Sequence, residues 1–229
     1  MIADTPALHR VRGRRRAEPP GLLRLLKIFD PMVQVVEFPR KSDPLIKEYL
    51  ASCADHLAPG FRLVSDVQTV PPLQQLPQGR GRDALIDDVR QLVEIYSELL
   101  GCRHVGLRLD ITDRPMCPSF HVDRTGIRLL CTYQGPGTEW VEDACIDDEH
   151  EHPGSAGSGD VPHAPGSAPV LDRVHRARLG YGRRRVAQPF SLLLLKGSTW
   201  QGNDALGAIH RSPHHGVGRR VLLALDALW

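Results

Sequence analysis

His121 and Asp123, separated by Val122, are joined far downstream by His210, and these three side chains carry the clearest chemistry in the chain. Two imidazoles and one carboxylate can occupy one face of an octahedral divalent ion and leave the opposite face open, as in non-haem iron(II) oxygenases. The same donor types also suit zinc. In an extended strand, residues i and i+2 project to one face, so His121 and Asp123 can reach a single ion while Val122 packs on the other side. An H-x-D tripeptide alone is a weak signal, and its simpler reading is a hydrogen-bonded surface pair. The surrounding elements have to decide between them.

Those elements read as strands. Arg128-Leu129-Leu130-Cys131-Thr132-Tyr133 is apolar and β-favouring, and it stops at the turn signal Gln134-Gly135-Pro136-Gly137. Ser191 to Leu195 forms a second apolar strand, and a turn-rich segment with Trp200, Gly202 and Asn203 leads to Ile209-His210-Arg211-Ser212-Pro213. A last strand opens with Arg219-Arg220 and continues to Asp226. Arg220, Leu222 and Ala224 share one face of it, while Arg219, Val221 and Leu223 share the other. One arginine of the pair can therefore enter a barrel; spacing from His210 favours Arg220, and Arg219 is expected as a solvated edge charge.

The order H-x-D, Arg128, Thr132-Tyr133, Gly137-Thr138-Glu139, a leucine run, His, Gly and Arg resembles the double-stranded β-helix of prolyl-hydroxylase-type Fe(II)/2-oxoglutarate oxygenases. Gly218 and Arg220 lie eight and ten positions past His210, as the Gly and the basic residue do in those enzymes. The turn matches in part, because Gly135-Pro136-Gly137-Thr138 has Pro where their G-G-x-T pattern has its second Gly. The blocks Cys117-Pro118-Ser119-Phe120-His121-Val122-Asp123, Thr132 to Trp140, Lys196-Gly197 with Trp200 and Gly202-Asn203, and His210-Arg211-Ser212-Pro213 resemble the bacterial family called domain of unknown function 1826. That similarity runs over roughly residues 28 to 226, and the family name implies no activity. The oxygenase resemblance implies iron held by His121, Asp123 and His210, and 2-oxoglutarate with its distal carboxylate on Arg220. Thr132 or Tyr133 would add a hydrogen bond. The zinc reading keeps the same ligands in a metal-handling protein. A third reading is a cupin-like binding domain with a vestigial triad. An anchor such as Arg220 serves an oxygenase and has no clear use in a zinc carrier.

The expected fold is α+β and mainly β: a double-stranded β-helix braced by N-terminal helices. Met32 to Phe38 reads as a first strand. Asp43-Pro44 opens a helix with Leu45, Ile46, Tyr49, Leu50 and Cys53 on one side. Asp83 is expected to cap a second, carrying Leu85, Ile86, Val89, Leu92, Val93, Tyr96, Leu99 and Leu100 and stopped by Gly101. Val105, Leu107 and Leu109 alternate with Gly106, Arg108 and Asp110 as a half-buried strand. Residues 1–27 read as a flexible basic arm and 28–229 as one domain. A flexible insertion is expected from about 142 to 183, where an acidic His tract precedes a Gly/Ser/Pro run.

Composition narrows the class. A chain of 229 residues can bury one sizeable core, and 21 Gly with 19 Pro suit a turn-rich β architecture. A net charge of +2 gives no reason to expect a nucleic-acid partner. No apolar run spans a bilayer. Arg24 and Lys27 interrupt the one N-terminal apolar stretch, so it does not read as a secretory signal, and a cytoplasmic protein is expected. Five cysteines, Cys53, Cys102, Cys117, Cys131 and Cys145, show no metal spacing, and their odd count argues against a disulfide framework; Cys117 and Cys131, close to the H-x-D motif, read as buried packing residues. His214 and His215 are expected to face solvent. Arg124, Arg128 and Arg211 lie near the presumed pocket as candidates for an anionic substrate or for structural ion pairs. The substrate, a small molecule or a protein, is not specified by any motif.

Overall fold

The computed structural model describes residues 21–67, 73–142, 170–204, 206–214 and 218–229. Local signals set its helices. Asp43 accepts a hydrogen bond from Leu45 N at 2.8 Å and Pro44 occupies the first turn, so α1 runs Pro44–Leu57. Helix α2 runs Arg82–Leu100 and ends on Gly101, whose φ of 66° is left-handed. Its N-cap is Gly81, not Asp83; Asp83 lies in the first turn, where its charge still complements the positive helix end. Gly21–Phe29 is a 3-10 helix with Leu25 and Ile28 buried. Residues 21–27, expected in the flexible arm, are thus part of the packed structure, and the rest of the arm lies outside the described residues.

The strands are β1 (Val35–Phe38), β2 (Gly60–Asp66), β3 (His104–Thr112), β4 (Ile127–Gln134), β5 (Glu139–Glu142), β6 (Arg183–Val186), β7 (Leu192–Lys196), β8 (His210–Arg211) and β9 (Arg220–Leu228). They form a six-stranded antiparallel sheet ordered β1-β7-β4-β9-β3-β2 and a three-stranded sheet ordered β6-β5-β8. An antiparallel bridge from His121 to His210 adds a fourth position to the smaller sheet, beside β8. From β3 onward the chain passes between sheets in a fixed alternation. β3 lies in the large sheet, His121 in the small, β4 in the large, β5 and β6 in the small, β7 in the large, β8 in the small and β9 in the large. That alternation is a double-stranded β-helix, closed by two facing sheets.

Two layers of burial explain the leucine-rich strands. Helices α1 and α2 cover the outer face of the large sheet, where Tyr49, Leu50, Leu92, Val93 and Tyr96 pack with Leu107, Leu129, Leu194 and Leu223. On the inner face Leu130, Leu193, Leu195, Leu222 and Ala224 form a second cluster. β7 is buried at every position, because one face meets helices and the other meets the small sheet. Each fully buried leucine contributes about 1.5–3 kcal/mol.

Other details differ from the sequence reading. The first strand starts at Val35 rather than Met32. Edge strand β2 and the short β5 and β6 carried no alternation strong enough to mark them. The stretch read as a flexible insertion contains helix α3 (Val170–Leu179), whose Val174 and Ala177 pack with Phe120, Val141 and Ile209 of the small-sheet side. Residues 143–169, with the acidic His tract and Cys145, lie outside the described residues.

Candidate metal centre

His121 and His210 are locked to each other by reciprocal backbone hydrogen bonds, N to O at 3.0 Å in both directions. That pairing brings their rings to 4.5 Å between centroids, tilted by 48°. Asp123 follows on a loop tied to the end of β7: its carbonyl accepts from Ser198 N at 2.9 Å, and Gly197 N donates to Gly126 O at 2.6 Å. A Cβ on Gly197 would lie 2.2 Å from Thr125 O, so only glycine permits this approach. Val122 turns away and packs with the Phe120 cluster.

Three donor groups converge. His121 Nε2 lies 3.3 Å from Asp123 Oδ1, and His210 Nε2 lies 3.5 Å from Asp123 Oδ2. All three ligand atoms fall within 4.8 Å of one another. Each histidine sets its Nδ1 against a backbone carbonyl, Ser119 O at 3.0 Å and Ala208 O at 2.9 Å. A carbonyl only accepts, so Nδ1 carries the proton in both rings and a neutral ring turns its Nε2 lone pair inward. Two such lone pairs and a carboxylate facing one another repel unless protons or a cation sit among them. The residues therefore fit a divalent ion, with the carbonyls holding the ligand rings in place.

The electrostatics agree. With protons rather than a cation among these groups, burial by itself would raise the Asp123 carboxyl, but hydrogen bonds from both histidines and the charges of His210 and Arg128 hold it well below the usual carboxylate range. The bond to Asp123 raises His121 against the opposing effect of burial. Arg128 pairs through Nη1 with Asp123 and grips Asp226 through Nε and Nη2 at 2.7 and 2.9 Å. Arg211 binds Glu139 at 2.6–2.7 Å and lies over the Phe120 ring at 4.4 Å. Both arginines are committed to structural ion pairs. Arg124 is exposed and does not line the cavity.

Arg220 opens β9 on the inner face, 6% exposed, and lines the same cavity of about 270 Å³ as the triad. Its Nε donates to Pro136 O at 3.0 Å; its Nη2 donates to Thr138 Oγ1 at 2.9 Å and Thr132 Oγ1 at 3.4 Å. Burial lowers this guanidinium to about 10, against the opposing charge of Asp110. Arg219, on the other face, is not a free edge charge: it pairs with Asp55 of α1.

Tyr133 corrects the sequence reading. Adjacent strand residues alternate, so with Thr132 turned toward Arg220, Tyr133 points to the helical side. There it is buried against Phe190 and its hydroxyl donates to Asp88 Oδ2 at 2.6 Å. It cannot touch a ligand in the cavity. Cys117 is a second correction: it is exposed on the cavity rim, whereas Cys53, Cys102 and Cys131 are buried. His214 is exposed, and His215 lies outside the described residues. Thr138 and Arg108 are cavity residues to which the sequence reading gave no part, and Arg128, weighed there as a substrate contact or a structural ion pair, is the latter. For Arg108 the signal was present, since it alternates with buried Leu107 and Leu109 on β3. A larger cleft, about 790 Å³, lies beside Ala227, Leu228 and Trp229 at the far end of β9. Among the described residues the metal-ligating group is in the smaller cavity.

A double-stranded β-helix with two histidines and a carboxylate converging between its sheets is the class that this geometry defines. Within that class, the chain belongs to the family described as protein of unknown function (DUF1826), whose sequence model matches residues 21–226. Among curated proteins none matches the chain. Solved structures with which it shares a likeness include a dioxygenase for auxin oxidation from rice, at 12% identity over 92% of this chain and 80% of that one, with a TM-score of 0.48. A prolyl-4-hydroxylase from Pseudomonas putida aligns at 11% identity over 90% of this chain and 98% of that one, TM-score 0.45. EctD from S. alaskensis, with bound Fe, aligns at 12% identity over 94% and 80%, TM-score 0.46.

Proposed function

We propose that this protein is a non-haem Fe(II)/2-oxoglutarate-dependent oxygenase that hydroxylates a C–H bond. The observation that carries the reading is one cavity holding both the inward-turned Nε2 atoms of His121 and His210 with the Asp123 carboxylate, and the buried guanidinium of Arg220. Iron(II) in such a site supplies the oxidation: one atom of dioxygen enters the substrate C–H bond, and the other enters succinate as 2-oxoglutarate loses carbon dioxide. The chain's own residues do the binding and positioning. Nε2 of each histidine and an Asp123 oxygen hold the metal. The Arg220 guanidinium pairs with the distal carboxylate, a charge-assisted contact strengthened by burial. Thr138 and Thr132 hold Arg220 in place, while Leu130 and Leu222 give the cavity an apolar wall.

The test is an anaerobic titration of metal-stripped protein with iron(II) and then 2-oxoglutarate, following the visible charge-transfer band of the chelated cosubstrate. The band is expected in the wild type and absent in Asp123→Ala. Arg220→Met should form the band only at 2-oxoglutarate concentrations higher by about tenfold or more. Zinc is the alternative occupant, since the same donors suit it. Tight zinc binding with no band at any 2-oxoglutarate concentration would replace the oxygenase reading with a metal-handling one.

A further inference from the structure

Besides Arg220, Arg108 is a cavity arginine whose charge is not fully committed. On β3 it projects to the inner side, next to Ala224 of β9, and lines the cavity with the triad and Arg220. Its Nε lies 2.8 Å from Asp110 Oδ2, an ion pair without hydrogen-bond geometry. Its two terminal nitrogens make no hydrogen bond among the described residues. Directly opposite on edge strand β2 stands Arg62, exposed and, unlike Arg108, without an ion pair among the described residues. Like charges set directly opposite on neighbouring strands repel, yet the fold keeps these two guanidiniums on facing positions of β2 and β3, Arg108 lining the cavity and Arg62 beside it on the exposed edge strand.

Cationic groups outnumber carboxylates along this wall of the cavity. Asp110 is the carboxylate on which Arg108, Arg62, Arg128 and Arg220 all act. Arg128 already has Asp123 and Asp226. One carboxylate is left among Arg62, Arg108 and Arg220, and burial pushes that carboxyl up, toward its neutral form. The proposed cosubstrate would supply an anion to Arg220. Arg62 and Arg108 would then share one carboxylate, Asp110, between two guanidiniums.

We propose that Arg108, assisted by Arg62, binds the carboxylate of the substrate, and that the substrate is a small carboxylic acid hydroxylated a few bonds from that group. The inference rests on the oxygenase reading. Size argues for a small acid, because Arg108 and the metal ligands line one cavity of about 270 Å³ that must also take the cosubstrate. Arg108, with 26% side-chain exposure, is recessed enough to be desolvated by a ligand and open enough to meet one. Guanidinium and carboxylate make paired, charge-assisted hydrogen bonds. Arg211 and Arg128 would not substitute, since their donors already serve Glu139, Asp123 and Asp226.

The experiment uses the full chain loaded with manganese(II) and saturated with 2-oxoglutarate, both followed by water-proton relaxation. Propionate is then titrated in, and its proton resonances are watched for paramagnetic broadening, with propionamide as the uncharged twin. Broadening by propionate and not by propionamide is expected. Arg108→Gln should weaken propionate binding by about tenfold and the exposed-site variant Arg62→Gln by roughly threefold, with affinity for 2-oxoglutarate unchanged. Equal broadening by both probes, none by propionate, or wild-type affinity in either variant overturns the assignment. Failure of manganese or 2-oxoglutarate to bind is seen before any propionate is added. It would overturn the oxygenase reading and this inference with it.

Discussion

Arg220 and its two threonines show how a single residue's neighbours separate a ligand contact from a structural one. Thr138 donates no charge, yet it holds a guanidinium that is 6% exposed. Thr138→Val removes the shorter of the two threonine contacts to Nη2 and leaves only Thr132 at 3.4 Å, at a cost of about 1–2 kcal/mol. The expected result is a roughly 5- to 30-fold loss of 2-oxoglutarate affinity with metal affinity unchanged, read by titrating each in turn. Tyr133→Phe is the contrasting case. It should leave 2-oxoglutarate affinity as in the wild type and lower stability by about 1 kcal/mol in urea unfolding, because its hydroxyl serves Asp88 on the far face of β4. A Tyr133→Phe protein that lost cosubstrate affinity would contradict the placement. Residue types alone could not choose between Thr132 and Tyr133, since both are plausible donors; the face of the strand decides.

At the scale of elements, the site depends on close approaches between connections. A Cβ on Gly137 would meet Ala187 O at 1.8 Å, so the β4–β5 turn can lie against the β6–β7 connection only as glycine. That contact carries Thr138 to Arg220. Gly137→Ala is expected to cost about 1–3 kcal/mol through overpacking and to weaken 2-oxoglutarate binding as Thr138 does. Melting curves and the cosubstrate titration, run on the same preparation, check both halves. Tyr96 of α2 works similarly, its hydroxyl donating to Ile127 O and accepting from Ala227 N at 2.9 Å, so that a helix residue ties β4 to β9. α2 was legible because its apolar residues recur at helical spacing over Arg82–Leu100. The short β5, β6 and β8 were not, because two to four residues carry no measurable period and their pairing is entirely long-range.

For the whole molecule, two global measurements follow. Metal bound to the native site alone adds about 2.7 kcal/mol at a hundredfold excess over Kd. Chelation should therefore lower Tm by roughly 5–10 °C, and Asp123→Ala should show no chelator effect. Alkaline stability reports the opposite face of the large sheet. Burial is the main cause that pushes the Cys131 thiol up to about 12, while an unfolded thiol titrates near 8.5. Above about 8.5 the unfolded chain releases this proton and the folded chain keeps it, so stability is complete below that pH and falls as pH rises toward 12. Guanidinium midpoints between pH 7 and 10.5 should decline, less steeply in Cys131→Ala. No helix among the described residues is long and apolar enough to cross a membrane. The sequence by itself determined which residues are chemically capable, namely His121, Asp123, His210 and Arg220, and the two helices and longer strands of the scaffold around them, because donor type and local periodicity are written in short stretches of chain. Only the tertiary structure decided that the Nε2 atoms face one carboxylate, that Arg128 and Arg211 are spent in ion pairs, that Tyr133 lies outside the cavity and that Arg108 lies within it. Those outcomes depend on strand order and on contacts between residues far apart in sequence, which no local pattern encodes.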